Sequence, residues 1–178
     1  MQTDQTKNAI LEAAQFLFAT RGYTETGVRD IAERANVNPA LIARYFGSKL
    51  ELFERALEAS LDVTLFIQAE RENFGEKIAE AFCASTPDEA NVVPALVFSA
   101  GDSAAREAAL RLLKERVIAP LEQWFGGTEA SERAVQLLLV VAGFFTFRQM
   151  LPLDALAGNC SPAMRRWLAT TLQEILDR

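Results

Sequence analysis

Residues 35–49 read ANVNPALIARYFGSK, and the reading of this stretch decides the fold. Asn is the non-glycine residue type that best tolerates positive φ, so Asn36 predicts a tight turn between two helices. Asn38 suits an N-cap and Pro39 a first helical position, so a helix is expected from Pro39. Ile42 and Phe46 lie four apart and face one side, while Val37 plugs the corner. Gly47 ends this helix. Ser48 caps the next one, and Glu51 three residues on completes a capping box. The stretch spells turn, short helix, stop and restart. Such a helix fits an ordinary bundle or a DNA groove, and its neighbours discriminate between the two.

Upstream, Ala9, Ile10, Ala13, Ala14, Leu17 and Phe18 form one apolar stripe, which predicts a helix from about Thr6 to Thr20, stopped by Gly22. Thr26 is expected to cap a second, short helix over Gly27 to Arg34, with Asp30 near its positive end. Val28, Ile31, Ala32 and Ala35 give its inner face. Three helices thus fill residues 6–49, and the second and third are joined by three or four turn residues. This is the helix-turn-helix pattern, whose second helix enters the major groove with its N-terminal residues toward the bases. Asn38, Pro39, Ala40, Leu41, Arg44 and Tyr45 are the candidates on its outward face. Arg44 matches guanine edges or phosphate. Tyr45 and Lys49 suit phosphate oxygens. A cation at position 49 opposes the dipole of the fourth helix, but a phosphate at that helix end reverses the sign. The competing reading is a generic three-helix lobe with solvated Arg44 and Lys49.

Composition bounds the alternatives. The chain has 178 residues, half of them hydrophobic, with nine glycines and six prolines. Ala, Leu, Glu and Arg favour helix throughout, so the expected class is all-α. The net charge of −6 looks unfavourable for a nucleic-acid partner. Its distribution changes that: residues 1–50 carry six basic and five acidic groups, and the remainder twelve and nineteen. Only the first fifty residues suit an approach to DNA. There is no histidine, which removes the usual general base and the commonest metal ligand. No nucleophile–base pair is visible, so an enzyme is a distant reading, and no cofactor or metal is expected. Cys83 and Cys160 fit no metal spacing and read as two small buried apolar residues. The opening MQTDQTKNAILEAAQ does not resemble a secretory signal. The apolar run Ala134 to Phe147 has 14 residues, against about 20 for a membrane span. It reads as a buried helix in a cytoplasmic protein without a membrane partner.

ILEAAQFLFATRGYTETGVRDIAERANVNPALIARYFGSKLELFERAL resembles the N-terminal domain of the TetR family of transcriptional regulators. The family pattern is matched at Ile10, Ala13, Ala14, Leu17, Phe18, Gly22, Tyr23, Thr26, Val28, Ile31, Ala32, Ala35, Val37, Ile42, Phe46, Lys49 and Leu52. Asn36 replaces the usual turn glycine and Asn38 the usual cap serine. Ala43 stands where a DNA-contacting tyrosine is common, and Tyr45 is a candidate substitute. The resemblance implies a homodimer on palindromic double-stranded operator DNA, with Thr26, Arg29, Pro39, Ala40, Leu41, Arg44, Tyr45 and Lys49 facing it. Asn38 would cap the third helix and reach the backbone. The resemblance also implies a helical C-terminal domain that binds a small molecule and dimerises. The expected division is 4–64 for DNA binding and 65–178 for ligand binding and dimerisation.

Beyond residue 60 the pattern gives elements only. The fourth helix, marked by Leu50, Phe53, Leu57, Leu61 and Leu65, is expected to run to about Glu70 and link the domains. Gly75 and STPDEANVVP interrupt the middle, and five or six more helices are expected in all. A long helix is predicted over Asp102 to Phe125, kinked by Pro120. A very apolar one runs from Thr128 or Ser131 to about Met150. The last follows Ser161 and Pro162. Ala134–Phe147 needs cover on every face. With Met164, Trp167, Leu168, Leu172 and Ile175 it is a candidate dimer interface. Phe66, Phe98, Trp124, Phe144 and Phe147 are candidate ligand contacts, with Phe74, Phe82 and Met150 beside them and Arg148 and Gln149 for polar contacts. Packing is the competing reading for each. The rival to a DNA-binding regulator is a helical dimeric scaffold that binds a ligand or protein but not DNA.

Overall fold

The computed structural model describes residues 2–86, 91–156 and 158–178. The chain is helical, with no strand among the described residues. In chain order the helices are α1 (Gln2–Glu25), α2 (Val28–Arg34), α3 (Ala40–Phe46), α4 (Lys49–Ser60), α5 (Thr64–Ile67), α6 (Phe74–Ala84), α7 (Val92–Ser99), α8 (Ser103–Leu113), α9 (Ala119–Phe125), α10 (Ala130–Phe145) and α11 (Pro162–Asp177). Seven described helices follow α4, against the five or six expected, because short turns break up what periodicity reads as longer segments. The expected interruption at STPDEANVVP and the loop LPLDALAGNCSP fall in part on residues 87–90 and 157, outside the described residues.

Two compact units form. One joins Met1–Leu61 with Ala90–Leu113, and the other joins Asp62–Glu89 with Lys114–Arg178. The first unit is built on Ile10, Ala14, Phe18, Ile31, Ile42, Leu52, Phe53 and Leu57, all at most 2% exposed. Phe18 and Phe53 meet edge-on at 5.1 Å, and Tyr23 closes on Phe53 at the same distance. Burying each such side chain contributes roughly 1.5–3 kcal/mol. α1 extends further than expected at both ends, but its helical dihedrals break at Gly22, which has φ 78°. A Cβ at Gly22 would lie 2.8 Å from Phe98 Cβ on α7, so both conformation and space demand glycine there. α8 returns to α4 through an Arg111 Nη2–Glu54 Oε1 ion pair of 2.8 Å.

α4 ends at Ser60, ten residues before the expected stop. Asp62 is the reason: its Oδ1 accepts a 2.8 Å bond from Thr64 N–H and starts the short α5. Leu61 is buried, whereas Leu65, read as the next position on the same stripe, is exposed. The expected linking helix to about Glu70 does not form.

In the second unit α6 packs on α11. Gly75 does not interrupt a helix; it lies in the first turn of α6, where a Cβ would overlap the Ala169 carbonyl. Gln173 of α11 accepts from Gly75 N–H at 3.0 Å and donates to the Arg71 carbonyl at 2.9 Å. Leu168, Leu172 and Ile175 fill this contact side and are buried. Their expected place in a dimer interface is therefore corrected. Met164 is half-buried, and Trp167 remains outward at 56% exposure.

The run expected over Asp102 to Phe125 is helical from Ser103, with a π-helical turn at Lys114–Ile118 just before Pro120. Proline lacks the N–H that an α-helix needs and crowds the preceding turn, so the kink takes this form. α10 likewise runs on through a π-helical turn at Thr146–Met150. By length and composition alone the run Ala130–Met150 would suffice to cross a membrane. Its Arg133 and Arg148 are nevertheless buried and bonded to protein carbonyls. Leu139 is 68% and Val135 46% exposed, so one chain alone covers only part of the helix surface. Cys83 and Cys160 are buried as read, but they are also joined by a disulfide.

Candidate nucleic-acid interface

The turn between α2 and α3 forms as its sequence dictates. Asn36 adopts φ 53°, and it alone among the described non-glycine residues has positive φ. Val37 N–H reaches back to the Ala32 carbonyl at 2.9 Å. Asn38 Oδ1 accepts from Ala40 N–H at 2.9 Å, satisfying one of the free donors at the start of α3. Ile42 is the buried anchor of α3 and Phe46 is half-buried below it. Asn38, Pro39, Ala40 and Arg44 are exposed, and Leu41 and Tyr45 are half-buried. Arg29 is exposed on α2. The structure thus brings the candidates of α3 to one accessible face.

Thr26 is the exception. It does not cap α2, a place taken by Gly27, whose N–H donates to Asp30 Oδ2 at 2.7 Å. Thr26 is 0% exposed, and its hydroxyl donates to the Gly22 carbonyl at 2.7 Å and the Leu17 carbonyl at 3.2 Å. Its expected contact with DNA is corrected: the side chain locks the bend after α1. The signal that misled was residue type, since threonine before a helix serves equally as a cap and as a lock for the preceding one.

α4 begins with the expected capping box. Glu51 N–H donates to Ser48 Oγ at 3.1 Å, and Ser48 N–H donates to Glu51 Oε2 at 2.6 Å. Donation from the Ser48 N–H, then from its hydroxyl, holds the Glu51 carboxyl below its ordinary pKa. Lys49 beside it lies 4.2 Å above the Tyr23 ring. Burial lowers the Lys49 pKa, while the charges of Asp102 and Glu25 pull the other way. A phosphate at this helix end would accept from the free N–H groups of the first turn and supply a counter-charge to a partly desolvated cation. Two features escaped the sequence reading. Lys7 of α1 lies 5.6 Å over the Tyr45 ring and Arg44 5.9 Å, so Tyr45 sits among cations. Tyr23 and Asp102 frame Lys49. Arg44 is the sequence neighbour of Tyr45, but Lys7, Tyr23 and Asp102 lie tens of residues from the side chains they meet, beyond any local pattern.

The candidate ligand contacts divide. Phe66 and Phe144 meet around Phe82, with centroids 6.3 and 5.4 Å away. Trp124 stacks 5.2 Å from Phe74 in the same unit. Phe98 belongs to the first unit, against Gly22, and is not among the aromatic residues of the second. Phe147 is exposed. Arg148 is buried and its guanidinium serves the protein itself. It donates to the carbonyls of Leu156 (2.7 Å), Cys83 (3.4 Å) and Ser85.

Known proteins share this architecture. Residues 10–56 match the model of the bacterial regulatory proteins of the tetR family, and residues 72–176 match the tetracyclin repressor-like C-terminal domain. Over 50 residues the chain is 50% identical to an HTH-type transcriptional repressor of Mycobacterium tuberculosis, covering 28% of this chain and 27% of that protein. Over 59 residues it is 37% identical to the HTH-type transcriptional activator FasR of Mycolicibacterium smegmatis, covering 33% and 27%. The chain therefore spans about a quarter of the length of these curated relatives. Salmonella enterica GusR superposes with a TM-score of 0.74 at 20% identity, over 97% of this chain and 96% of that one, which is a likeness of fold.

Proposed function

Because the chain belongs to the TetR family of bacterial regulatory proteins, we propose that it is a one-component repressor that binds a palindromic operator as a homodimer and responds to a small apolar ligand. The observation that carries the reading is the accessible face of α3. Asn38, Pro39, Ala40 and Arg44 stand out from a buried Ile42, and Lys49 stands at the start of α4. Arg44 reads a guanine edge or grips phosphate; Tyr45 and Lys49 hold the backbone. Family membership supports a DNA-binding regulator over a scaffold without DNA binding, and the family is one of non-enzymatic regulators. A regulator that works on the bacterial chromosome is read as cytoplasmic.

DNA binding is assigned to residues 4–64, and ligand binding and dimerisation to 65–178. Phe66, Phe144 and Trp124, with Phe82 and Phe74, supply the apolar surface for ligand. The exposed apolar face of α10 and Trp167 of α11 supply the contact between subunits. The conduit is the helical run Ser103–Phe125, which is continuous through its π-helical turn and passes from one compact unit to the other at Leu113. A ligand that alters this run changes the separation of two heads that must fit grooves about 34–36 Å apart.

Selection of bound fragments from a random DNA pool tests the reading, followed by salt titration on the winning sequence. Arg44→Ala with Lys49→Ala is expected to weaken binding and to flatten the log–log salt slope by about 0.9 for each phosphate that is no longer neutralised. Absence of any saturable, salt-sensitive binding by the unaltered protein overturns it.

A further inference from the structure

We propose that Cys83 and Cys160 form a reversible dithiol–disulfide pair through which hydroperoxides act on this regulator. The inference rests on the DNA-binding reading above for its consequence, but not for its chemistry. Cys83 lies in the last turn of α6, and Cys160 immediately precedes the Ser161 cap of α11. Their Cα atoms are 5.2 Å apart across 77 residues of sequence. That spacing is within the roughly 4.4–6.8 Å a disulfide spans without backbone movement. A protein that works on bacterial DNA meets a reducing interior, where a joined pair of this kind is usually transient and redox-sensing rather than structural.

The surroundings suit the chemistry. Arg148, on the π-helical turn after α10, bonds the carbonyls of Cys83, Ser85 and Leu156. Arg148 thereby ties the end of α6, which carries Cys83, to Leu156, a few residues before Cys160. Leu151 to Ala155, on the approach to Cys160, are exposed. Cys160 itself is 6% exposed, so its reaction with peroxide requires local opening around it. The Cys160 thiolate attacks the O–O bond of hydrogen peroxide and becomes a sulfenic acid, and the departing hydroxide takes up the proton the thiol had lost and leaves as water. The Cys83 thiol then displaces the hydroxyl as a second water and the S–S bond forms. Two thiols lose two electrons and two protons, and one hydrogen peroxide becomes two waters. Two molecules of glutathione reverse the step and leave as glutathione disulfide.

Closing the bond ties the end of α6 to the start of α11, beside the turn in which α10 terminates. α10 and α11 carry the exposed apolar surface assigned to the subunit contact, so the two redox forms present it differently. The full-length protein is equilibrated in glutathione buffers of graded ratio and, separately, with hydrogen peroxide. Free thiols are counted by alkylation and mass spectrometry. Affinity for the selected DNA is measured on the same samples. The expected result is intramolecular closure of Cys83 to Cys160 that reduction reverses, with affinities of the two forms differing by at least about fivefold, the lower end of ordinary allosteric couplings. Cys160→Ser, at a loop position, and Cys83→Ala are each expected to abolish the difference and to bind as the reduced form does. Thiols that never close, a bond that resists all reducing ratios, or equal affinities in both forms overturn the proposal. If neither form binds DNA, the repressor reading fails, while the thiol count still decides whether the pair is reversible.

Discussion

The Thr26 hydroxyl donates to two carbonyls of the preceding helix, and no part of the residue reaches solvent. Replacing it by valine keeps the shape and removes the one hydroxyl proton that the Gly22 and Leu17 carbonyls share in a buried place. Thr26→Val is expected to lower stability by about 1–3 kcal/mol, read from urea unfolding, with DNA affinity unchanged once the variant is folded. A fall in affinity at unchanged stability would instead restore Thr26 to the DNA face. Single residues were legible where their role is set by their own backbone. Asn36 at positive φ and Asn38 as a cap follow from residue type and neighbours within two positions. Thr26 was not legible, because a threonine hydroxyl bonds forward or backward with equal chemistry. What chose between them was the bend at Gly22, and that bend is fixed by Phe98 on a distant helix.

At the scale of elements, helix starts were more legible than helix ends. α3, α4 and α11 begin at caps whose partners lie three residues or fewer away. The end of α4 was missed because the stripe Leu57, Leu61, Leu65 continues through it, and periodicity outweighed one aspartate. Asp62 is held below its ordinary pKa by the Thr64 hydroxyl first and its N–H second. Glu51 is held down likewise at the other end of α4. Both carboxyls titrate lower in the folded chain than in the unfolded one. Their contribution is therefore complete above the ordinary carboxylate range and is lost as pH falls through their lowered values. Unfolding midpoints in urea are expected to drop below pH 4.5, the ordinary value for Glu51, and Glu51→Gln is expected to show a shallower drop. Equal slopes would mean that the box contributes nothing through charge. Ser48→Ala, which removes the acceptor for Glu51 N–H, is expected to cost about 1 kcal/mol at neutral pH.

For the whole molecule, the helix-turn-helix head was legible and the second unit was not, and the reason is range. The head is specified by caps, a turn and i, i+4 pairs. In the second unit the decisive facts are pairings far apart in sequence. Gly75 lies against Ala169, Arg148 holds Cys83 and Leu156, and Leu168, Leu172 and Ile175 turn inward rather than toward a partner. What remains outward on α10 includes Val135 and Leu139, large apolar side chains on a helix too apolar to stand in water. A subunit related by two-fold symmetry would cover this face and set the spacing of two heads at once. Leu139→Arg tests that directly, because a residue 68% exposed tolerates the change within one chain. The variant is expected to keep its circular dichroism and melting curve at low protein concentration. In sedimentation it is expected to run as a monomer where the unaltered protein runs as a dimer. Its affinity for a palindromic site is expected to fall to that for a half-site, since each head must then bind unaided. A variant that still sediments as a dimer and holds the palindrome with full affinity would move the subunit contact off this face of α10.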